Sequence, residues 1–199
     1  MNIGFDLDKI FINYPPFVPD VLIDKLYKQE SNGVLSYRIP SKPEQLLRTL
    51  THHPLLRPPI KKNIEYVKKL NSRNTHKYYL ISSRFSFLKN RTQTIIQKYG
   101  LNTIFDGLYF NFGDKQPHIF KNETIKILKI DLYVDDDLRL LQHLAKDNTK
   151  AKFFWLNKKQ TKSFGKNLFA ITHLSEMFPT STSEESILLA SRRSGPPPR

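Results

Sequence analysis

Two short runs decide the fold: Asn2-Ile-Gly-Phe-Asp-Leu-Asp8 near the start, and Asp131-Leu-Tyr-Val-Asp-Asp-Asp137 further along the chain. Each is a brief apolar segment that stops on carboxylates. A strand buried on both faces of a parallel sheet reads as a continuous apolar run, and acids at its carboxyl end lie where open parallel sheets bind their ligands. Residues 77–81 (KYYLI), 107–112 (GLYFNF), 152–156 (KFFWL) and 168–171 (LFAI) read as further strands. Helical spacing separates them. Residues 63–70 put Ile64, Val67 and Leu70 on one face, with Pro58 and Pro59 suited to the first turn. Residues 87–99 turn Leu88, Ile95 and Ile96 inward and stop at Gly100, and residues 120–128 and 138–146 complete the set. Strand–helix alternation predicts an α/β fold, a Rossmann-like, mostly parallel sheet flanked by helices.

Two segments leave this rhythm. Residues 14–57 carry Pro15, Pro16, Pro19, Pro40, Pro43 and Pro54 around two helical patterns, at 21–29 and 43–50. That is longer than a connection needs, so a small, mainly helical cap inserted after the first strand is expected, with residues 1–13 and 58–178 forming the core. Residues 179–199, rich in Ser, Thr and Pro and devoid of Lys, read as a disordered tail.

Composition narrows the classes of function. Hydrophobic residues are 39% of the 199, with 14 Phe and 9 Tyr, enough for a packed core. The absence of cysteine excludes disulfides, thiolate metal sites and cysteine nucleophiles. No run of residues is apolar enough for a membrane helix and the N-terminus has acids where a signal peptide needs an apolar stretch. A soluble, cytoplasmic protein with no membrane partner is therefore expected. The formal net charge of +14 favours anionic partners, a small phosphorylated substrate or nucleic acid, although scattered lysines also simply solvate helix faces.

Four short signals bear on chemistry. Asp6 and Asp8, two apart after a strand, would project the same way; alone, such acids also cap turns. Ser82 and Ser83, followed by Arg84, end another strand, where a hydroxyl can donate to phosphate or merely cap a helix. Lys121 is read as opening the helix before the next strand and by itself says nothing. Asp135, Asp136 and Asp137 in succession repel one another unless a cation or water relieves them, and hard carboxylate oxygens near phosphate suit magnesium. Phe153, Phe154 and Trp155 read as sheet core, His52 and His53 as surface residues closing a helix, and Arg84 as either a phosphate contact or a surface ion pair.

In this order the four signals resemble the motifs of the haloacid dehalogenase-like (HAD) hydrolase superfamily: Asp-x-Asp, Ser/Thr, Lys and paired Asp. The stretch from Lys121 to Asp136 and the run from Leu56-Arg57-Pro58-Pro59 to Ser82-Ser83-Arg84 carry the likeness, which covers about residues 1–175. One departure stands out: Lys9-Ile10 replaces the Gly-Thr or Gly-Val that usually continues the first motif. The resemblance implies a magnesium-dependent phosphomonoester phosphatase, with a nucleotidase-like member among the readings, in which Asp6 is the nucleophile and Asp8 the acid/base. It implies phosphate contacts from Ser82, Ser83 and Lys121. Magnesium would be held by Asp6, Asp8 through its carbonyl, Asp135 and Asp136. Crowding by acids should keep Asp8 protonated at the start of the reaction. Two other readings compete: a catalytically silent module of the same fold that binds nucleic acid or a phosphorylated partner, and a polynucleotide-end phosphatase.

Overall fold

The computed structural model describes residues 1–15, 28–31, 34–157 and 164–178. Six strands form one sheet: β1 (Asn2–Phe5), β4 (Lys77–Ser82), β5 (Gly107–Phe110), β6 (Leu132–Asp135), β7 (Lys152–Leu156) and β8 (Leu168–Ile171). Their order is β5-β4-β1-β6-β7-β8, and all five pairings are parallel. The first and fourth motif strands, β1 and β6, are therefore neighbours, in register at Ile3 with Leu132 and Phe5 with Val134. That register alone brings Asp6 and Asp135 to the same edge of the sheet.

Strand side chains alternate between two faces, and each face has its own core. Ile3, Phe5, Tyr78, Leu80, Leu132, Val134 and Phe154 pack into one cluster, and Ile81, Tyr133, Phe153 and Leu168 into the other. Phe5 meets Phe11 and Phe105 at ring-centroid separations of 5.6 and 6.2 Å; burying one such side chain contributes about 1.5–3 kcal/mol. Gly4 is required on the second face, because a Cβ there would lie 2.8 Å from the Tyr133 ring. Phe153 and Phe154 are core as expected, whereas Trp155 is half-buried and acts on the site described below.

Helices α2 (Lys61–Asn71), α3 (Lys89–Lys98), α4 (Pro117–Ile127) and α5 (Leu138–Asp147) follow the predicted pattern, with Gly100 in the left-handed conformation (φ 64°) after α3. One start differs from expectation: α4 begins at Pro117, so Lys121 sits in its second turn rather than opening it. Proline in the first turn was the start signal.

The insertion also differs. Helix α1 (Lys42–Thr51) matches its predicted pattern, with Pro43 in the first turn and the Glu44 carboxylate accepting from the Ser41 backbone N–H at 2.7 Å. Most of the other predicted helix lies outside the described residues, but Lys28 and Gln29 are strand: β2 (Lys28–Ser31) pairs antiparallel with β3 (Val34–Tyr37). These strands bracket Asn32-Gly33 in the sequence, a pair that favours tight hairpin turns. Hairpin and helix both dock on the core. Tyr37 exchanges two hydrogen bonds with the Gln116 side chain, at 2.9 and 3.1 Å, and Arg91 Nε donates to the Thr49 carbonyl at 3.1 Å. The predicted tail at 179–199 lies outside the described residues. No described helix is long and apolar enough to cross a membrane.

Candidate active site

At the carboxyl edge of the sheet a cleft of about 170 Å³ opens, lined by the ends of β1, β4 and β6, by α4, and by Tyr37, Arg38, Arg48 and His52 from the insertion. Three of the four predicted motifs meet here through side-chain contacts, and the fourth lines the same cleft. Lys121 Nζ donates to Asp6 Oδ1 at 2.8 Å and to Asp135 Oδ2 at 2.6 Å, with all three side chains buried. Ser82 is buried and Ser83 half-buried; the Ser83 hydroxyl is enclosed without a hydrogen-bond partner among the described residues, as a donor facing an anionic oxygen would be.

Asp6, Asp135 and Asp136 each place a carboxylate oxygen within 4.8 Å of the others. The loop after β6 is held tightly: the Asp137 N–H donates to Asp135 Oδ1 at 3.1 Å, Asp137 caps α5, and the Trp155 indole donates to the Asp136 carbonyl at 2.9 Å. Tyr37 of the hairpin donates to Asp137 Oδ2 at 3.0 Å. Neither Trp155 nor Tyr37 carried a sequence signal for this role.

The electrostatics of this wall follow from burial. Removal from water pushes the Asp6 carboxyl up to about 7, opposed by Lys121 and reinforced by Asp135 and Asp8. Burial, then Asp135 and Asp6, raise Asp136 well above the usual carboxylate range. Burial disfavours the Lys121 charge, yet Asp135 and Asp6 outweigh it and hold the ammonium well above the ordinary lysine range. Three convergent carboxylates with one bridging ammonium form a site short of positive charge. Hard oxygen donors at this spacing fit a small divalent cation such as magnesium. Asp8 contributes no side-chain oxygen to that group.

Instead Asp8 faces the opposite wall, and this corrects the expectation that acids would keep it protonated. Arg84 grips it with both arms of its fork, Nε to Oδ2 and Nη2 to Oδ1, each at 2.9 Å, and Arg57 Nη2 also bonds Oδ1. Burial acts to raise the Asp8 pKa, but the Arg84 and Arg57 guanidiniums reverse this and hold it well below the carboxylate range. Arg84 is thus a buried partner of the motif rather than a surface pair. His52, expected at the surface, is buried in the same wall; burial and then Arg57 and Arg84 lower its pKa, leaving it neutral. His53 is half-buried and does not line the cleft.

Lys9 adopts the left-handed conformation, φ 56°. The backbone shape that glycine favours is retained although glycine is absent. Its ammonium lies 3.7 Å from Asp136 Oδ2 and 4.5 Å from the Tyr14 ring centroid.

Comparison with solved structures gives the class of fold. A HAD-superfamily hydrolase from Ehrlichia chaffeensis aligns with a TM-score of 0.50 at 14% identity, covering 88% of this chain and 93% of its own. A haloacid dehalogenase-like protein from Streptococcus pneumoniae aligns at 0.51 and 11% identity, covering 79% and 84%. A HAD family enzyme from Bacteroides thetaiotaomicron, solved as an aspartate-to-alanine variant with magnesium and inorganic phosphate, aligns at 0.51 and 12% identity, covering 80% and 95%. No protein-family model and no curated protein matches the sequence. This chain has the fold of the HAD-like hydrolases.

Proposed function

We propose that this chain is a magnesium-dependent phosphohydrolase that acts on small phosphomonoesters through an aspartyl-phosphate on Asp6. One observation carries the reading: the Asp6, Asp135 and Asp136 oxygens converge within 4.8 Å at the sheet edge while Lys121 bridges Asp6 and Asp135. The neighbour that holds magnesium and phosphate adds support at the level of fold.

A divalent cation held by Asp6, Asp135 and Asp136 would supply the positive charge that lets a carboxylate approach a phosphate dianion. The protein's own groups do the rest. An Asp6 oxygen forms a bond to phosphorus as the ester P–O bond breaks. Lys121 and the Ser82 and Ser83 hydroxyls bind the phosphoryl oxygens. Asp8, once outside its guanidinium fork, takes up a proton from solvent and passes it to the departing oxygen. It then takes one from the water that attacks phosphorus, which frees phosphate and regenerates Asp6.

Hydrolysis of an aryl phosphate should require magnesium, and Asp6→Asn should lower turnover by at least about 10³-fold. Metal-dependent turnover that survives Asp6→Asn removes the nucleophile. Nucleoside monophosphates and oligonucleotide ends belong in the same screen, where a salt-sensitive gain for oligonucleotides would identify a polynucleotide-end phosphatase. A second reading, a catalytically silent phosphate-binding module, is favoured by the double arginine grip on Asp8. Binding of beryllium fluoride with magnesium but no turnover of any ester would select it.

A further inference from the structure

We propose that the Arg84–Arg57 fork is a second anion subsite, and that Asp8 fills it as an internal stand-in until a carboxylate of the substrate displaces it. This rests on the phosphohydrolase reading and names its substrate class: short phosphorylated carboxylic acids.

The arginines are fixed and the carboxylate is the exchangeable partner. Arg57 and Arg84 side chains are 1% and 4% exposed, Asp8 18%. Arg84 Nη1 also donates to Thr92 Oγ1 at 3.3 Å, and the Arg57 guanidinium lies 4.8 Å from the Tyr14 ring centroid. A planar fork bonding both oxygens of one carboxylate is shaped for another carboxylate. Exchanging one for the other keeps both buried guanidiniums paired, so the swap escapes the cost of stranding them. Arg48 and neutral His52 extend the same wall along the cleft.

The exchange has a chemical consequence. With both oxygens bound to guanidiniums, Asp8 cannot face a leaving group over Asp6. A substrate carboxylate in the fork releases it to relay a proton, so correct substrates complete the catalytic set and esters without a second anionic group do not. The cleft sets substrate length. The phosphoryl and carboxylate positions face each other across one cleft of about 170 Å³, which admits only a short acid. Chains of one to three methylenes sample that range.

The test compares carboxymethyl, carboxyethyl and carboxypropyl phosphates with ethyl, propyl and butyl phosphates, using the full chain with magnesium. For the best length, kcat/KM should exceed that of its uncharged match at least tenfold. Arg84→Lys keeps the charge but loses the fork, and should bring that ratio towards one; Arg57→Lys serves if the first variant does not fold. Ratios near one at every length in the wild type, or a ratio unchanged in the variants, overturn the proposal. A preference shown only by alkanediol bisphosphates overturns its carboxylate assignment. If the wild type hydrolyses none of these esters, the phosphohydrolase reading falls and the subsite is judged by calorimetry. Tighter binding of carboxypropyl than butyl phosphate, lost in Arg84→Lys, then sustains the subsite, and equal binding removes it.

Discussion

The two walls of the cleft solve opposite problems with carboxylates two residues apart. On one, two buried carboxylates, Asp6 and Asp135, share a single ammonium from Lys121. On the other, two buried guanidiniums share a single carboxylate, Asp8. The first wall is short of cations and would gain from a metal ion; the second has cations in excess and would accept an anion. A phosphorylated acid placed between them would meet an electropositive end and, with magnesium bound, a phosphate-accepting end. The same residue type therefore serves two purposes because of what the neighbouring chain supplies.

Removing one cation from each wall breaks the comparison most sharply. Lys121→Met leaves Asp6 and Asp135 buried together without their shared counter-charge, a loss expected to cost about 3–5 kcal/mol in metal-free protein. Arg57→Met leaves Asp8 in the intact Arg84 fork and should cost about 1.5–3 kcal/mol, the worth of a charged hydrogen bond. Urea unfolding in EDTA reads both. Added magnesium should recover part of the Lys121→Met loss and none of the Arg57→Met loss. Equal losses with equal recovery would mean that the walls are not distinct.

pH separates the walls next. The folded Asp6 carboxyl titrates near 7, above its unfolded value of 3.8, so the unfolded chain releases this proton first. Stability without metal should therefore fall as pH rises from about 4 to about 7 and level off above, by at most about 4 kcal/mol. Asp8 moves the other way: its folded value is depressed, so its contribution is complete above 3.8 and is lost on acidification below. The windows do not overlap. Unfolding free energies at pH 4.5 and 7.5 in EDTA should differ, and the difference should shrink in Asp6→Asn. A flat profile in the wild type would refute the burial argument for Asp6.

The acidic wall was legible in the sequence and the basic wall was not. Asp6 and Asp135 each end a run of apolar residues, so local pattern alone places them at strand ends, and the parallel register of β1 with β6 makes them neighbours. Arg57, Arg48 and His52 come from the insertion and its exit, where nothing local marks a charged side chain for burial; they are drawn in because Asp8 and the cleft lie beside them. Arg84 follows the serine pair directly, yet its direction depended on a partner 76 residues away. The β2–β3 hairpin was missed for another reason. Residues 21–29 have helical spacing, which marked this stretch as helix although Asn32-Gly33 beside it is a pair that favours hairpin turns. Trp155 was read as core because its neighbours are, although its indole N–H needed an acceptor and found the Asp136 carbonyl.

Lys9 joins the two walls and gives the smallest effect. It occupies a left-handed position directly after Asp8, where a side chain with a Cβ costs about 1 kcal/mol relative to glycine. Its ammonium recovers part of this through Asp136 and the Tyr14 ring, each contact worth about 0.5 kcal/mol where partly exposed. Comparing Lys9→Gly with Lys9→Ala isolates the backbone contribution, since both lose the ammonium and only alanine keeps the strain. The glycine variant should be the more stable by about 1 kcal/mol in urea titration. Both variants should bind magnesium more tightly than the wild type by the same factor, because both remove a cation that competes for Asp136. Unequal stability with equal magnesium affinity is thus the expected pair of results. Equal stability would mean that the turn relaxes out of the left-handed region when the side chain is shortened, and Lys9 would then be holding the backbone in place through its own contacts.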